Sequence, residues 1–209
     1  MQRARTQEAK DGRRESLLNA ALEEFYERGF AAAKMEAVAG RAGLSKGTVY
    51  LYFDSKKGLF QALIESLTAP NLAQLEMIAE LAPSLEDAMD RIAVLAPIIV
   101  KTSNLPKLMK VLIGDSHLFP DLIRDYRTSV LDRLLAFMAR VLEAARDRGE
   151  IEIEDPALTA RLLVAPMALS GMWEAVFGKD AEAEVDLEKL FSIHKTFMLR
   201  ALRSEGGAA

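Results

Sequence analysis

The residues with the clearest chemical potential lie in the segment AGLSKGTVYLYFDSKKGLF, residues 42–60. If the chain after Ser45 winds as a helix with Val49 facing inward, the outward side carries Lys46, Gly47, Thr48, Tyr50 and Leu51. Ammonium, hydroxyl and phenol groups donate hydrogen bonds to phosphate oxygens or base edges, and glycine permits close backbone approach. This face is typical of a helix that lies in the major groove of DNA.

The neighbouring residues predict the elements that present this face. One short helix is expected over 35–42, and Gly43 ends it. A second is expected over 46–53, with Ser45 as its N-cap. Two short helices joined by a glycine-containing turn indicate a helix-turn-helix. Lys56 and Lys57 open the next helix, from which they could reach a phosphate.

The rest of the chain also has helical periodicity, and no segment alternates convincingly with a period of two. The first helix is expected over 13–28, with Gly29 as its stop, and Pro70 should kink or end the helix that begins at Lys56. Further helices are expected at 72–81, 84–100, 104–115, 119–148, 157–177 and 185–203. The fold class expected is therefore all-α.

Composition limits the function classes. The 209 residues are 50% hydrophobic and contain no cysteine, which excludes disulfides and thiolate metal sites. Residues 1–60 hold 11 basic and 8 acidic residues, whereas the remainder is acidic, so the N-terminal part is the one expected to meet an anion. The longest apolar run, 92–100, is shorter than the ~20 residues of a membrane span. We expect a cytoplasmic protein with no membrane partner.

Motifs for catalysis are lacking. The histidines are His117 and His194, and neither belongs to a metal-binding or HExxH pattern. The sequence has no nucleophile elbow, Walker loop or dinucleotide fingerprint. We predict no enzyme activity, no cofactor and no metal.

The stretch FAAAKMEAVAGRAGLSKGTVYLYFDSKKGLF, residues 30–60, resembles the DNA-binding domain of the tetracycline-repressor (TetR) family of transcriptional regulators. The resemblance covers roughly residues 13–64. It implies a homodimer that binds double-stranded DNA at a palindromic operator and that a small-molecule effector releases. The implied organisation is a flexible basic arm (1–12), a helix-turn-helix domain (13–64), a helical effector-binding and dimerisation domain (65–203) and a disordered tail (204–209).

The resemblance also implies roles for individual residues. Lys46 would lie near phosphates or a guanine, Gly47 and Thr48 near bases and backbone, and Tyr50 and Lys56 against phosphates. Tyr52 has two alternative roles, which are packing in the core and a contact with a phosphate. The complete set of predicted DNA-binding residues is Lys34, Arg41, Ser45, Lys46, Gly47, Thr48, Tyr50, Leu51 and Lys56. The basic arm could follow phosphates, enter a minor groove, or remain a solvated tail.

Two departures from the family pattern affect the predicted DNA contacts. Ala33 and Lys34 stand where a capping Thr or Ser is frequent, so Lys34 could supply a phosphate contact but not a cap. Leu51 stands where Tyr or His is common, and it can contact a thymine methyl but cannot donate a hydrogen bond. The operator sequence therefore does not follow from the resemblance.

The helix predicted at 157–177 is apolar on two sides, and a helix apolar on two sides must bury both. One side carries small residues and the other, about 100° away, carries large ones such as Leu162 and Trp173. One stripe should meet its own domain and the other a partner subunit, unless both lie in a large monomeric core. The predicted dimer interface comprises Ala160, Val164, Ala168, Gly171, Ala175, Phe191, His194 and Met198.

Methionine and aromatic side chains at helical spacing suggest an effector pocket or ordinary core. The candidate lining residues are Met89, Met109, Phe119, Phe137, Met138, Met167 and Trp173. Flexible methionine walls would suit a small apolar or aromatic effector. The alternative function is a helical ligand-carrier or protein-interaction dimer whose helix-turn-helix no longer reads DNA. Leu51, Lys34 and the acidic remainder of the chain leave that alternative open.

Overall fold

The computed structural model describes residues 2–115 and 117–203, with side chains described from residue 7 onward. The predicted disordered tail, 204–209, lies outside the described residues. The regular structure of the described residues is helical throughout, which confirms the all-α fold. The α-helices are α1 Gln2–Ala32, α2 Met35–Arg41, α3 Lys46–Tyr52, α4 Lys56–Glu80, α5 Leu85–Thr102, α6 Leu105–Asp115, α7 Pro120–Tyr126, α8 Asp132–Asp147, α9 Pro156–Phe177 and α10 Leu187–Leu202.

The described chain forms two compact units. The first contains the residues up to Leu67 together with Lys107–Tyr126, and the second contains Thr68–Pro106 and the residues from Arg127 onward. Residues 107–126 fall within the effector-binding and dimerisation domain that the sequence predicts. The structure groups them with the helix-turn-helix, because buried residues of α6 and α7 pack into that unit.

Three helices differ from the sequence-based expectation. Residues 2–12, expected to be a flexible arm, are the first turns of α1. The helix from Lys56 continues past Pro70, where the missing N–H costs one hydrogen bond, while Leu72 and Leu75 are buried beyond it. The helix expected over 119–148 is divided into α7 and α8 by a π-helical turn at Arg127–Leu131.

The core of the first unit is a layer of apolar side chains from α1 to α4. Its largest fully buried members are Leu17, Leu22, Phe25, Val38, Val49, Leu59, Phe60 and Leu63. The Phe25, Phe30 and Phe60 rings pack at centroid distances of 5.1–5.5 Å, and Phe119 of the α6–α7 segment adds an edge-on contact with Phe30 at 4.8 Å. This packing fixes the position of α3, whose one buried residue is Val49.

The end of α1 is held by a buried carboxylate. Gly29 has φ 73° and ψ 163°, so the regular helix breaks there, as the sequence predicted. The next residue, Phe30, donates its backbone N–H to Asp115 Oδ2 at 2.6 Å. A side chain at Gly29 would place its Cβ 3.1 Å from the same oxygen. Glycine is therefore required here for both its backbone conformation and its size.

The second unit has a separate core built mainly by α5, α8, α9 and α10. Its main cluster of buried residues is Leu85, Met89, Phe137, Met138, Leu142, Ala145, Ile151, Ala160 and Leu202. Glu150, in the α8–α9 connection, accepts a hydrogen bond from the backbone N–H of Leu85 at 2.7 Å, which ties that connection to the start of α5. The unit therefore presents two long helices, α9 and α10, on a scaffold that is already packed.

Candidate nucleic-acid interface and cavity

The turn between α2 and α3 has the hydrogen bonds of a Schellman motif. Leu44 N–H donates to Ala39 O at 2.9 Å, and Gly43 N–H donates to Gly40 O at 3.2 Å. Gly43 has φ 66°, a conformation that a residue with a Cβ adopts only with strain. The turn thereby sets the angle at which α3 leaves α2, as a helix-turn-helix requires.

The start of α3 is capped by Ser45. Its Oγ accepts a hydrogen bond from the backbone N–H of Thr48 at 3.1 Å and lies 2.8 Å from the Thr48 hydroxyl. The Ser45 side chain therefore acts first as the helix cap, as predicted, and it orients the Thr48 hydroxyl at the edge of the exposed face.

An ion pair and a ring contact organise the charged end of α3. The Lys46 ammonium pairs with the Glu36 carboxylate of α2 and lies 5.9 Å from the centre of the Tyr50 ring. The hydrogen bond from Glu36 raises the pKa of Lys46, and the same bond lowers the pKa of Glu36. Both side chains are more than half exposed, so water screens the pair. Glu36 was not predicted as a site residue, because nothing in the local sequence pairs positions 36 and 46.

The outward face of α3 agrees with the sequence-based prediction except at Thr48, which is half-buried. Gly47 is exposed, Tyr50 is 44% exposed, and Leu51 is 84% exposed, while Val49 is fully buried. Tyr52 is half-buried, its ring 6.3 Å from that of Phe53. An apolar side chain as open as Leu51, on a helix with polar neighbours, is positioned to contact another molecule.

Lys34 and Arg41, predicted to bind DNA, have different surroundings. Lys34 is exposed and occupies the N-cap position of α2 without a side-chain capping bond, as expected. The Arg41 guanidinium is engaged within the unit: its Nε donates to Glu24 at 3.0 Å and its other nitrogens pair with Glu27. The hydrogen bond from Glu27 is the main cause of the raised pKa of Arg41. Arg41 therefore joins α2 to α1.

Glu24 explains why Arg41 is held so firmly. Its side chain is almost completely buried in α1, and its carboxylate also pairs with Arg28 at 3.5 Å. A buried carboxylate is costly unless it is paired, so Arg41 is needed where it stands. The sequence alone does not reveal this pair, because its partners are 17 residues apart on different helices.

Lys56 also has an internal role. Its ammonium donates to the carbonyl oxygens of Phe30, Ala31 and Ala33 at 2.6, 2.9 and 3.0 Å, which uses the three donors of the group. Burial lowers the pKa of Lys56, and the charge of Asp115 opposes that shift. A phosphate contact would have to compete with these three hydrogen bonds. Lys56 therefore holds the end of α1 in place.

The basic residues of α1 extend the charged surface near α3. The Arg14 guanidinium lies 5.8 Å from the centre of the Phe53 ring, directly after α3. Lys10 and Arg13 are exposed on the same helix. Because 7–14 are helical, these side chains have fixed spacing, and a phosphate contact from them would not require ordering a loose arm.

A cavity of about 50 Å³ lies in the second unit. Three of the predicted effector residues, Met89, Met138 and Met167, line it. The remaining lining residues are apolar apart from His194 and Lys195, at one end: Leu75, Ile92, Ala93, Ala96, Leu134, Leu163, Val164 and Phe191. Such a wall suits a mainly apolar guest.

The other four predicted effector residues do not line this cavity. Phe137 is buried in the core cluster beside it. Met109 and Phe119 belong to the first unit, where Phe119 packs against Phe30. Trp173 is 40% exposed on α9, and its Nε1–H donates to Ala183 O at 2.8 Å.

The stripe of small residues on α9, which was predicted to form the dimer interface, mostly faces the core of its own unit. Ala160 and Gly171 are buried, Val164 and Ala175 are half-buried, and only Ala168 is exposed. On α10, Phe191 is buried and Met198 is half-buried against the core, while His194 lies at the cavity. The stripe of small residues faces its own unit because small side chains allow close packing of helices there.

The stripe of large residues faces outward instead. Large apolar residues with 40–64% of their surface exposed are Leu158, Leu162, Leu169, Met172, Trp173, Val176 and Phe177 on α9, and Ile193 and Phe197 on α10. His194 Nε2, 3.2 Å from Leu163 O, connects the two helices. By length and composition, α9 meets the requirement for a membrane span, although Ala160, Ser170 and Gly171 are buried in the unit's core. An apolar face of this extent is typical of interaction sites.

Comparison with known proteins identifies relatives along most of the chain. Residues 17–63 match the family described as bacterial regulatory proteins, tetR family, and residues 88–190 match the C-terminal domain of AefR-like transcriptional repressors. The chain is 25% identical over 172 residues to the HTH-type transcriptional regulator SrpR of Pseudomonas putida, a match that covers 82% of this chain and 79% of SrpR.

Solved structures agree with these matches. A proposed TetR-family regulator from Mesorhizobium loti superposes with a TM-score of 0.77 at 24% identity, covering 93% of this chain and 98% of that one. SmeT, the repressor of the Stenotrophomonas maltophilia multidrug efflux pump SmeDEF, superposes with a TM-score of 0.68 at 25% identity, covering 92% and 91%.

Proposed function

Because this chain belongs to the TetR family of transcriptional regulators, we propose that it is a repressor that binds a palindromic operator as a homodimer and is released by a small apolar or aromatic effector. The observation that carries the DNA-binding part is the exposed face of α3 on a helix fixed by Ser45 and Val49. The similarity of 88–190 to AefR-like repressors and the likeness to SmeT support repression. A repressor of this kind acts in the cytoplasm, beside its DNA.

The proposed contacts to DNA follow from the side chains that α3 leaves exposed. Gly47 and Leu51 enter the major groove, Tyr50 contacts a phosphate, and Lys46 reaches a phosphate or a guanine at the edge. Lys46 must exchange Glu36 for that partner. The exchange is inexpensive, because water screens an ion pair between two side chains that are more than half exposed. Lys34 and the basic residues of α1 add phosphate contacts, whereas Arg41 and Lys56 hold the helices in position.

The homodimer is supported by the outward face of α9 and α10. Full burial of a leucine or phenylalanine side chain stabilises by about 1.5–3 kcal/mol, and this face holds nine large apolar side chains. A second copy that buried the same face would remove it from water on both subunits. Such an interface is self-complementary, as two-fold dimers require. Two copies of α3 spaced about 34 Å apart could then read two half-sites on one side of the DNA.

The effector site is proposed to be the cavity of the second unit. Its volume of about 50 Å³ is well below the ~300 Å³ of typical ligand pockets, so binding must enlarge it. Methionine side chains rearrange readily, and Met89, Met138 and Met167 are placed to give that room. An enlarged wall would alter the packing of α5, α9 and α10, which is a route by which an effector could change the dimer.

Selection of random duplex DNA by the purified protein at controlled salt tests the proposal. Enrichment of a palindrome is the expected result, and binding should weaken steeply with salt because phosphate contacts release counterions. A folded protein freed of bound small molecules that enriches no sequence at low salt would instead favour the ligand-carrier alternative, since the cavity and the apolar face would serve a carrier equally.

Leu51 offers a test at the level of single atoms. We expect one or more thymines of the selected half-site to place the 5-methyl group against this side chain. Replacing those thymines with deoxyuridine removes only the methyl groups and should lower wild-type affinity by about 3- to 10-fold, an apolar contact near 1 kcal/mol per methyl. Titrations of Leu51→Ala should show little difference between the two DNAs. Equal loss in both proteins would assign the methyl effect to DNA shape rather than to Leu51.

A further inference from the structure

His194, which was predicted to belong to the dimer interface, lies in the wall of the cavity. Its Nε2 lies 3.2 Å from the carbonyl oxygen of Leu163. A carbonyl oxygen can only accept, so Nε2 must carry the proton of this hydrogen bond. In the neutral ring the other nitrogen, Nδ1, is then an acceptor, and the described residues provide the ring with no second hydrogen bond.

The charges around the cavity favour a neutral ring. Burial lowers the pKa of His194, and the hydrogen bond to Leu163 only partly offsets that effect. The one other polar lining residue of the described chain, Lys195, has its ammonium paired with Asp90. The cavity therefore offers an apolar wall, a single neutral acceptor and a cation that already has its counter-charge.

We propose that the effector is a neutral, mainly apolar molecule with one hydroxyl group, of the phenol or alcohol class, which donates its hydrogen bond to Nδ1 of His194. The inference rests on the proposed function in taking this cavity as the effector site. A hydrocarbon that filled the cavity would offer this nitrogen no donor, so it would bind without the hydrogen bond that a hydroxyl group supplies. A carboxylate would lose its hydration without gaining an unpaired cation.

The size of the cavity restricts the effector further. A cavity of about 150 Å³ is known to hold a single benzene-sized guest, and this one measures about 50 Å³. Movement of the three methionines can supply the difference for one ring with a short chain. Alkylphenols with a single ring are therefore suitable probes.

The test compares three probes of nearly equal shape by calorimetry on the full-length protein: 4-propylphenol, 4-propyltoluene and 4-propylbenzoate. They present a hydroxyl, a methyl and a carboxylate at the same position. For the wild type we expect the phenol to bind about tenfold more tightly than the toluene, the upper range for one neutral hydrogen bond. The benzoate should bind more weakly than the phenol.

Two substitutions assign the preference to one side chain. His194→Leu removes the acceptor and should bring the phenol-to-toluene ratio close to one, whereas His194→Gln keeps an acceptor and should retain part of it. The comparison of probes on the wild type needs no variant, so it stands if a variant is unstable. Equal affinity for phenol and toluene, tighter binding of benzoate, or no binding of any probe would each overturn the inference.

The failure of this inference differs from the failure of the proposed function. Each probe is also added to the protein bound to its selected operator. If the protein binds DNA but shows no preference for the phenol, the proposed regulator function stands and the proposed role of His194 is wrong. If the protein prefers the phenol but binds no DNA, the proposed ligand site stands and the proposed regulator function is wrong.

Discussion

Replacing Leu162 with glutamate is expected to convert the protein to monomers and to lower operator affinity by more than about 100-fold. Leu162 is 61% exposed on the apolar face of α9. In the proposed dimer each copy would place a carboxylate in a buried apolar interface, where an unpaired charge is strongly unfavourable. A monomer engages only one half-site, and the gain from two linked binding events is typically about 10²–10⁴-fold.

The matched control is Leu81→Glu. Leu81 is 68% exposed directly after α4 and lies outside the face formed by α9 and α10. This variant should remain a dimer with normal operator affinity. Sedimentation measures the assembly, and the single tryptophan, Trp173, supplies a second signal because it lies on the same face. Its emission should shift to longer wavelength in Leu162→Glu. If Leu162→Glu remains a dimer, the interface lies on another surface of the protein.

Replacing both Lys46 and Tyr50 with alanine should lower operator affinity by at least about 100-fold. A hydrogen bond to a charged group contributes about 1.5–3 kcal/mol, and a homodimer makes each of these bonds twice. The slope of log affinity against log salt should also become shallower, by about one for each phosphate that is no longer neutralised. Fluorescence anisotropy on the selected operator at several salt concentrations measures both quantities.

Thermal unfolding separates this effect from a loss of structure. Both side chains are exposed, so the midpoint of unfolding should change little. Tyr50→Phe keeps the ring over which Lys46 lies and isolates the hydroxyl. Lys189→Ala, an exposed lysine of α10, is the control for general charge and should leave affinity unchanged. An operator affinity that survives the double substitution would show that α3 does not read the DNA.

The exposed face of α3 could be predicted because its determinants are local. A seven-residue helix with one inward residue, Val49, leaves little choice of orientation, and Ser45 and Gly43 mark its boundaries. The same local logic predicted Gly29 as the end of the regular first helix. Caps, turns and helical period depend on residues within a few positions of one another, so sequence alone carries them.

The roles of Arg41 and Lys56 could not be read in this way. Their partners lie 14 to 26 residues away, on other helices or on the backbone at the end of α1. An exposed lysine and a lysine that caps three carbonyls look alike in a sequence. The grouping of 107–126 with the first unit has the same cause, since it depends on long-range interactions such as that of Asp115 with Phe30.

The stripe that we propose for the dimer interface illustrates a different limit. Helical period correctly separated a small-residue stripe from a large-residue stripe on α9, but it could not decide which one faces the core. The packing of the second unit determines which stripe is buried, because α9 packs there closely enough to require small residues such as Ala160 and Gly171. The large side chains then remain outside, where they can fill spaces on a partner.

The most direct test of the central claim is a titration of the protein against the full palindrome and against a duplex of the same length that carries one half-site. We expect two chains bound to the full site, at least about 100-fold tighter than binding to the half-site at the same salt. Two equal affinities, or one chain bound to each full site, would contradict a homodimer that reads two half-sites with two copies of α3.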